Sequence, residues 1–311
     1  MKKKIFICEY VTGGGYFSKK IPSRLFLQGE NILYSLLKDF NNIPNLEVYY
    51  SWDKRFKKKI HFPKIKCFQI SKSPWNKWGE IIKKCDFFFP IAPETENSLY
   101  NLIKFGKKFK KKIISSDLKT IEVTSSKYKT YEKLKKGGIY TIPTYKKLID
   151  VNFLTSKLWV AKPDDGAGSE DIFIIKGRNK LKFFLNKKFL IQPYLKGNDF
   201  SVNILKNKKN YKILNINKQK ITLKREKIQF NGTQFTKQIV FNSLLRKKIK
   251  KVMNLFPGLK GFLGIDFILF NKKIYIVDIN PRITTSYAGL SKKIKTNIGM
   301  QILKIFDCSY K

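Results

Sequence analysis

The stretch that most restricts this fold lies near the end of the chain. Two apolar runs, 262–270 and 273–279, are joined by Asn271-Lys272, a two-residue connection of the kind that makes a hairpin. The first run carries Asp266 in its middle. The second ends in Asp278-Ile279-Asn280-Pro281-Arg282. Side chains alternate along a strand, so Asp278 and Asn280 share a face. With Asp266 on the adjacent strand, three hard oxygen donors converge, a set that suits Mg²⁺ and not zinc. Carboxylates inside apolar strands are expensive to bury without a cation partner. Capping of strand ends, or pairing with lysines, is the other reading of the same residues.

Upstream, strand and helix signals alternate. Short apolar runs at 4–8, 46–50, 66–70, 86–89 and 112–115 read as strands. Helical spacing of Leu25, Leu33, Leu36, Leu37 and Phe40, and patterns at 75–84 and 94–105, lie between them. Such alternation predicts an α/β, doubly wound parallel sheet. Near residue 116 the pattern changes. A helix is expected at 124–136, strands at 158–162, 171–175 and 189–192, and a short helix at 181–186. Strands then dominate at 201–206 and 212–217 before the hairpin, with helices at 244–255 and 299–306. The C-terminal part is therefore α+β in character.

Two further segments carry chemistry. In Trp159-Val160-Ala161-Lys162-Pro163-Asp164-Asp165-Gly166-Ala167-Gly168-Ser169 a strand ends in a lysine and a Gly/Ser loop follows. Small residues let backbone N–H groups approach phosphate oxygens, and the lysine adds a point charge. The lysine precedes the glycines, so this is not the G-x-x-x-x-G-K-[ST] loop. In Gln192-Pro193-Tyr194-Leu195-Lys196-Gly197-Asn198-Asp199 an amide and a carboxylate flank a turn; the first can meet an adenine amino group, the second ribose hydroxyls.

Taken in order, lysine with Gly/Ser loop, then Gln-x-Tyr-Leu-x-Gly-x-Asp, then Asp and Asp-x-Asn-Pro-Arg, the sequence resembles the ATP-grasp superfamily over about residues 115–300. That resemblance implies a doubly wound pre-ATP-grasp domain at 1–116, a central subdomain at 117–195 and a C-terminal subdomain at 196–311. It implies ATP-dependent activation of a carboxylate as an acyl phosphate, which an amine then attacks. Lys127 and Lys162 would hold phosphates under a lid containing Gly166, Ala167, Gly168 and Ser169. Gln192, Tyr194 and Leu195 would meet adenine, and Asp199 ribose. Asp266, Asp278 and Asn280 would bind two Mg²⁺, with Mn²⁺ an alternative. Gly264 stands where D-alanine ligases carry a catalytic arginine, and Arg282 is the substitute.

A narrower resemblance spans nearly the whole chain. Glu9-Tyr10-Val11-Thr12-Gly13-Gly14-Gly15, Ile91-Ala92-Pro93-Glu94-Thr95-Glu96 and the run from Asn280 to Leu290 look like the tyramine–L-glutamate ligase family, whose members serve methanofuran synthesis. It implies small-molecule substrates, an amino acid and an amine. Gly13, Gly14, Gly15 and Glu94 follow strand ends, so they are expected to face the ATP site across a cleft. The triglycine loop would take a substrate carboxylate, and Ser286 and Tyr287 would line the acceptor pocket. A tight turn is the other reading of the glycines. Another ATP-grasp ligase, or a carbamoyl-phosphate-type enzyme, is the alternative within the class; a homodimer is compatible with either.

Charge supports a different class at first sight. There are 65 Lys+Arg against 22 Asp+Glu, a net of +43. But arginine occurs only at 24, 55, 178, 225, 246 and 282, and the lysines are spread along the whole length. A nucleic-acid surface favours arginine for bidentate contacts. The lysine excess, alongside Ile, Asn, Phe and Tyr, follows A/T-rich codon usage, and no specific nucleic acid is expected. Cys8, Cys67, Cys85 and Cys308 form no C-x-x-C pair, and His61 is the lone histidine, which excludes a zinc site or histidine triad built from them. The apolar stretch after Met1-Lys2-Lys3-Lys4 stops at Glu9, too short for a secretory h-region, and no run approaches the ~20 residues of a membrane helix. A cytoplasmic enzyme with no membrane partner is the expectation.

Overall fold

The structure is a computed structural model that describes residues 2–57, 60–152, 156–166, 171–236 and 242–310. Its first third is the expected parallel sheet. Strands β1 (Lys3–Glu9), β2 (Leu46–Asp53), β3 (Ile65–Ile70), β4 (Phe87–Ile91) and β5 (Lys112–Ile113) lie in the order β3-β2-β1-β4-β5, every pair parallel. Helices α1 (Ser23–Asn41), α2 (Trp75–Lys83) and α3 (Ser98–Lys107) cover it. Both faces are buried, which explains why β1 and β4 read as unbroken apolar runs and not as alternating ones.

Strand β4 continues through Pro90, two residues past its expected end. The carbonyl of Phe88 accepts from Ile114 N on the β5 side. Pro90, two residues on, faces the same side, where β5 has already ended, so its missing N–H leaves no partner unmet. The helix expected at 94–105 is broken: Glu96 (φ 53°) and Asn97 (φ 56°) are left-handed, and α3 starts only at Ser98. The helix expected at 124–136 starts three residues later, as α5 (Lys127–Lys136), and is preceded by a separate helix that was not expected, α4 (Leu118–Thr124). Ser126 caps α5 by accepting from Lys129 N at 3.1 Å.

The remaining strands form one antiparallel sheet, ordered β13-β12-β9-β10-β11-β7-β6-β8. They are β6 (Trp159–Lys162), β7 (Phe173–Ile175), β8 (Leu190–Pro193), β9 (Asn198–Lys206), β10 (Tyr211–Lys224), β11 (Lys227–Thr236), β12 (Gly261–Phe270) and β13 (Lys273–Asn280). The short helix α6 (Arg178–Asn186) lies between β7 and β8. The hairpin β12–β13 turns at Asn271 (φ 46°) and Lys272 (φ 59°), both left-handed as a tight two-residue turn requires. Strand β11 was not expected, and β10 runs seven residues beyond its expected end. Helix α7 (Asn242–Leu255) buries Leu245, Ile249, Val252 and Met253 against Val202, Ile204, Leu263 and Ile265 of the sheet.

The end of the described chain returns to its beginning. After α8 (Leu290–Lys293), helix α9 (Ile298–Phe306) places Ile298, Ile302 and Leu303 in one core with Leu33, Leu36, Leu37 and Phe40 of α1. Asn297 Nδ2 donates to Asp39 O at 2.8 Å, and Lys3 is ion-paired with Asp307. No helix among the described residues is long and apolar enough to cross a membrane.

Candidate active site

A cavity of about 550 Å³ opens between the parallel sheet and the inner face of the antiparallel one. Lys127, Lys162, Gly166, Gln192, Tyr194, Leu195, Asp199, Asp266, Asp278, Asn280, Arg282 and Ser286 all line it, although they come from separated stretches of chain at 127, 162–166, 192–199, 266 and 278–286. Each owes its position to a local rule. Lys162 is the last residue of β6 and Lys127 the first of α5. Asp266 and Asp278 are direct register partners across the β12–β13 hairpin, and Gly264 is the partner of Asn280. A bulge after Asp266, which leaves Val277 without an opposite number, keeps the two carboxylates on one face.

The electrostatics of the site are set by burial and by its own charged pairs. Asp266 accepts from Gln219 Nε2 at 2.9 Å and Asn280 Nδ2 at 3.2 Å. Burial, then the neighbouring Asp278, push its carboxyl up to about 7. Lys127 Nζ stands 3.8 Å from Asp278 Oδ2 and also donates to Gly166 O. Lys162, 4% exposed, is pushed down to about 8 by burial and by Lys127. Asp199 is raised to about 6 by burial alone. Among the described residues no cluster of three His, Cys, Asp or Glu side chains exists. The donor set is therefore two carboxylates and an amide oxygen, which fits Mg²⁺, an ion that completes its octahedron with waters and phosphate oxygens. The repulsion between Asp266 and Asp278 is what such an ion relieves.

The loop before Gly166 is anchored on α5. Asp164 accepts from Ser126 Oγ and Tyr128 N, each at 2.9 Å, and its carbonyl takes Lys127 N at 3.0 Å. Asp165 Oδ2 accepts from Glu96 N at 3.0 Å, which ties the same loop to the strained Glu96-Asn97 kink. Ala167, Gly168 and Ser169 lie outside the described residues.

Several expected substrate residues are elsewhere. Gly13, Gly14 and Gly15 do not line the cavity. A Cβ on Gly13 would come within 2.5 Å of Glu9 O, on Gly14 within 2.7 Å of Ile70, and on Gly15 within 2.5 Å of the Tyr10 ring. Close packing of a turn accounts for all three. Tyr287 is 1% exposed and donates to Asp39 Oδ2 at 2.5 Å, so its phenol belongs to the core with α1 and α9. Glu94 is also buried, and grips Arg282 by a fork: Nε donates to Oε1 at 2.8 Å, Nη2 to Oε2 at 2.5 Å. Ser286 does line the cavity, donating to Asn203 Oδ1 at 2.7 Å.

Sequence reasoning missed a row of amides whose members Asn203 and Gln219 line the cavity. Asn203 donates to Asn215 at 2.9 Å, and Asn215 to Asn217 at 2.7 Å; Gln219 continues the row to Asp266. The signal was available as polar residues at alternate positions, 201 and 203 on one strand and 215, 217 and 219 on the next. Glu9, at the end of β1, was missed as well.

Paired lysines beside a carboxylate pair are a setting suited to phosphate groups and a divalent cation. The chain belongs to the ATP-grasp family of ligases: the family's ATP-grasp domain matches residues 124–286, and the pre ATP-grasp 3 domain matches 46–121. Among its relatives is the tyramine–L-glutamate ligase of Methanocaldococcus fervens, 32% identical over 290 residues, covering 92% of this chain and 89% of that one. The tyramine–L-glutamate ligase of Methanocaldococcus jannaschii is 30% identical over 307 residues, with 97% and 88% covered. In fold the chain resembles a putative ATP-grasp superfamily protein from Archaeoglobus fulgidus, with TM-score 0.77, 20% identity, and 97% and 88% covered.

Proposed function

We propose that this enzyme joins the carboxylate of L-glutamate to tyramine, or to an amine of similar shape, with conversion of ATP to ADP and phosphate. The observation that carries this reading is the 32% identity over 92% of the chain to a ligase of that name. A carboxylate and an amine do not condense near neutral pH without activation, and phosphoryl transfer needs charge neutralisation and positioning more than a protein nucleophile. The chain's residues are suited to that work. Lys127 and Lys162 draw phosphate oxygens into a buried cavity where each charge counts for more than in water. Gln192, Tyr194 and Leu195 border the space for a base, and Asp199 awaits hydroxyl donors. Asp266, Asp278 and Asn280 would hold Mg²⁺, which would supply neutralisation of phosphoryl charge. Arg282, fixed by Glu94, meets the charge that develops during acyl transfer. Asp164 and Asp165 hold the loop at 163–166 in place so that an acyl phosphate stays away from water. The test is ADP release in Mg·ATP with L-glutamate and a panel of amines. Release with tyramine above other amines is expected; equal release with and without any amine would reject the assignment.

A further inference from the structure

Glu9 closes β1, is 3% exposed, and lines the cavity together with Gly29, Pro93 and Arg282. Its carboxylate accepts from Thr12 N and Thr12 Oγ1, each at 2.7 Å, and from the backbone of Val11. All of these donors are neutral. Helix α1 passes so close that a Cβ on Gly29 would stand 2.7 Å from Glu9 Oε2, so glycine at that position makes room for the carboxylate. The cation whose field reaches Glu9 is Arg282, and that guanidinium is already committed to Glu94 by its fork. Glu9 and Glu94 therefore both draw on this one guanidinium, which Asp278 also feels. This occurs in a chain with 65 basic and 22 acidic residues, where lysine is abundant everywhere else. A carboxylate whose only task was to cap the turn would bear a desolvation penalty that a serine or asparagine avoids. Burial raises the Glu9 pKa, as expected of an anion short of a partner.

We infer that Glu9 is the binding site for a primary ammonium group of a substrate, a reading that rests on the amino acid–amine ligase assignment above. The N–H donors of Val11 and Thr12 already crowd the carboxylate with positive hydrogens and leave no second oxygen ligand, which disfavours a metal ion. A compact ammonium supplies one charge and needs one charged acceptor. It can come from the amino acid or from the acceptor amine.

Two ligand pairs separate these sources: L-glutamate against glutarate, and tyramine against 4-ethylphenol. Each pair differs by the amino group. Calorimetric titration of wild type and Glu9→Gln, with melting midpoints recorded alongside, decides the matter. In one pair the amino-bearing member should bind wild type at least roughly tenfold more tightly, and Glu9→Gln should reduce that preference to about twofold or less without lowering the midpoint. The responding pair names the source. The inference is overturned if Glu9→Gln keeps the wild-type preference, or if it weakens both members of a pair equally. It is also overturned, whatever the variant does, if wild type binds both members of each pair alike. Failure of all four ligands to bind wild type would instead reject the glutamate–tyramine assignment, and this inference with it.

Discussion

Replacing Asp266 by asparagine should make the metal-free protein more stable while destroying its activity. Burial and Asp278 hold the Asp266 carboxyl at about 7, against an ordinary 3.8. A carboxyl raised in this way weakens the fold as pH rises: the cost begins above pH 3.8, grows until about pH 7, and is constant beyond. At pH 8 that displacement corresponds to roughly 4 kcal/mol. Asparagine keeps the shape and one acceptor, and losing the other, now taken by Gln219 or Asn280, offsets about 1 kcal/mol. A net gain of about 2–3 kcal/mol remains, which in a chain of this size raises the melting midpoint by roughly 4–10 °C. The assay is thermal unfolding of wild type and Asp266→Asn in chelator from pH 5 to pH 8, repeated with Mg²⁺. The gap between the two should widen up to about pH 7, and Mg²⁺ should raise the wild-type midpoint alone. A variant less stable than wild type at pH 8 in chelator, or a gap independent of pH, would refute the picture of two carboxylates held apart only by strain.

Three other outcomes are expected. Glu94→Gln leaves buried Arg282 with half of its fork, so stability should fall by about 3 kcal/mol and kcat should fall with it; an unchanged midpoint would show that the pair is dispensable. Lys162 is charged well below pH 8 and loses that charge as pH passes about 8, so the KM for ATP should climb above that pH in wild type; a flat profile to pH 10 would separate Lys162 from the phosphates. Gly14→Val meets Ile70 at 2.7 Å and a backbone at φ +104°, so it should lower the melting midpoint instead of raising one substrate's KM, and a fully stable variant would contradict the packed turn.

Sequence legibility followed physical coupling. The parallel sheet was readable because strands buried on both faces write continuous apolar runs, as in Phe87-Phe88-Phe89. The break at Glu96 and Asn97 was not, since the contacts on either side of it, Glu96 N to Asp165 and Glu94 to Arg282, are with residues far away in sequence. Strand β11 was missed because its turn uses Arg225-Glu226, both left-handed without a glycine or asparagine to announce it, and because its apolar alternation stops after Ile228 and Phe230 at Asn231-Gly232. At the site, the residues that carry charge were visible from type and order. Asn203 and Gln219, which line it without charge, depend on register, and the charged residue missed, Glu9, depends on the close approach of α1 at Gly29. Tyr287 and the triglycine turn were drawn toward the cleft by their neighbours in sequence, while their own contacts belong to the core.

The core that α1 shares with α9 has a consequence for how this protein is made. Leu33, Leu36, Leu37 and Phe40 emerge from the ribosome early, yet their partners Ile298, Ile302 and Leu303 are synthesised more than 250 residues later. At 5–20 residues per second, a cell takes roughly 13–50 s to cover that distance. For that interval the core between α1 and the sheet lacks the apolar residues that α9 adds to it. The parallel sheet is therefore an element that can form but cannot seal during translation, and truncation before residue 298 should yield a chain that chaperones hold and proteases remove, even with every residue of the sheet present.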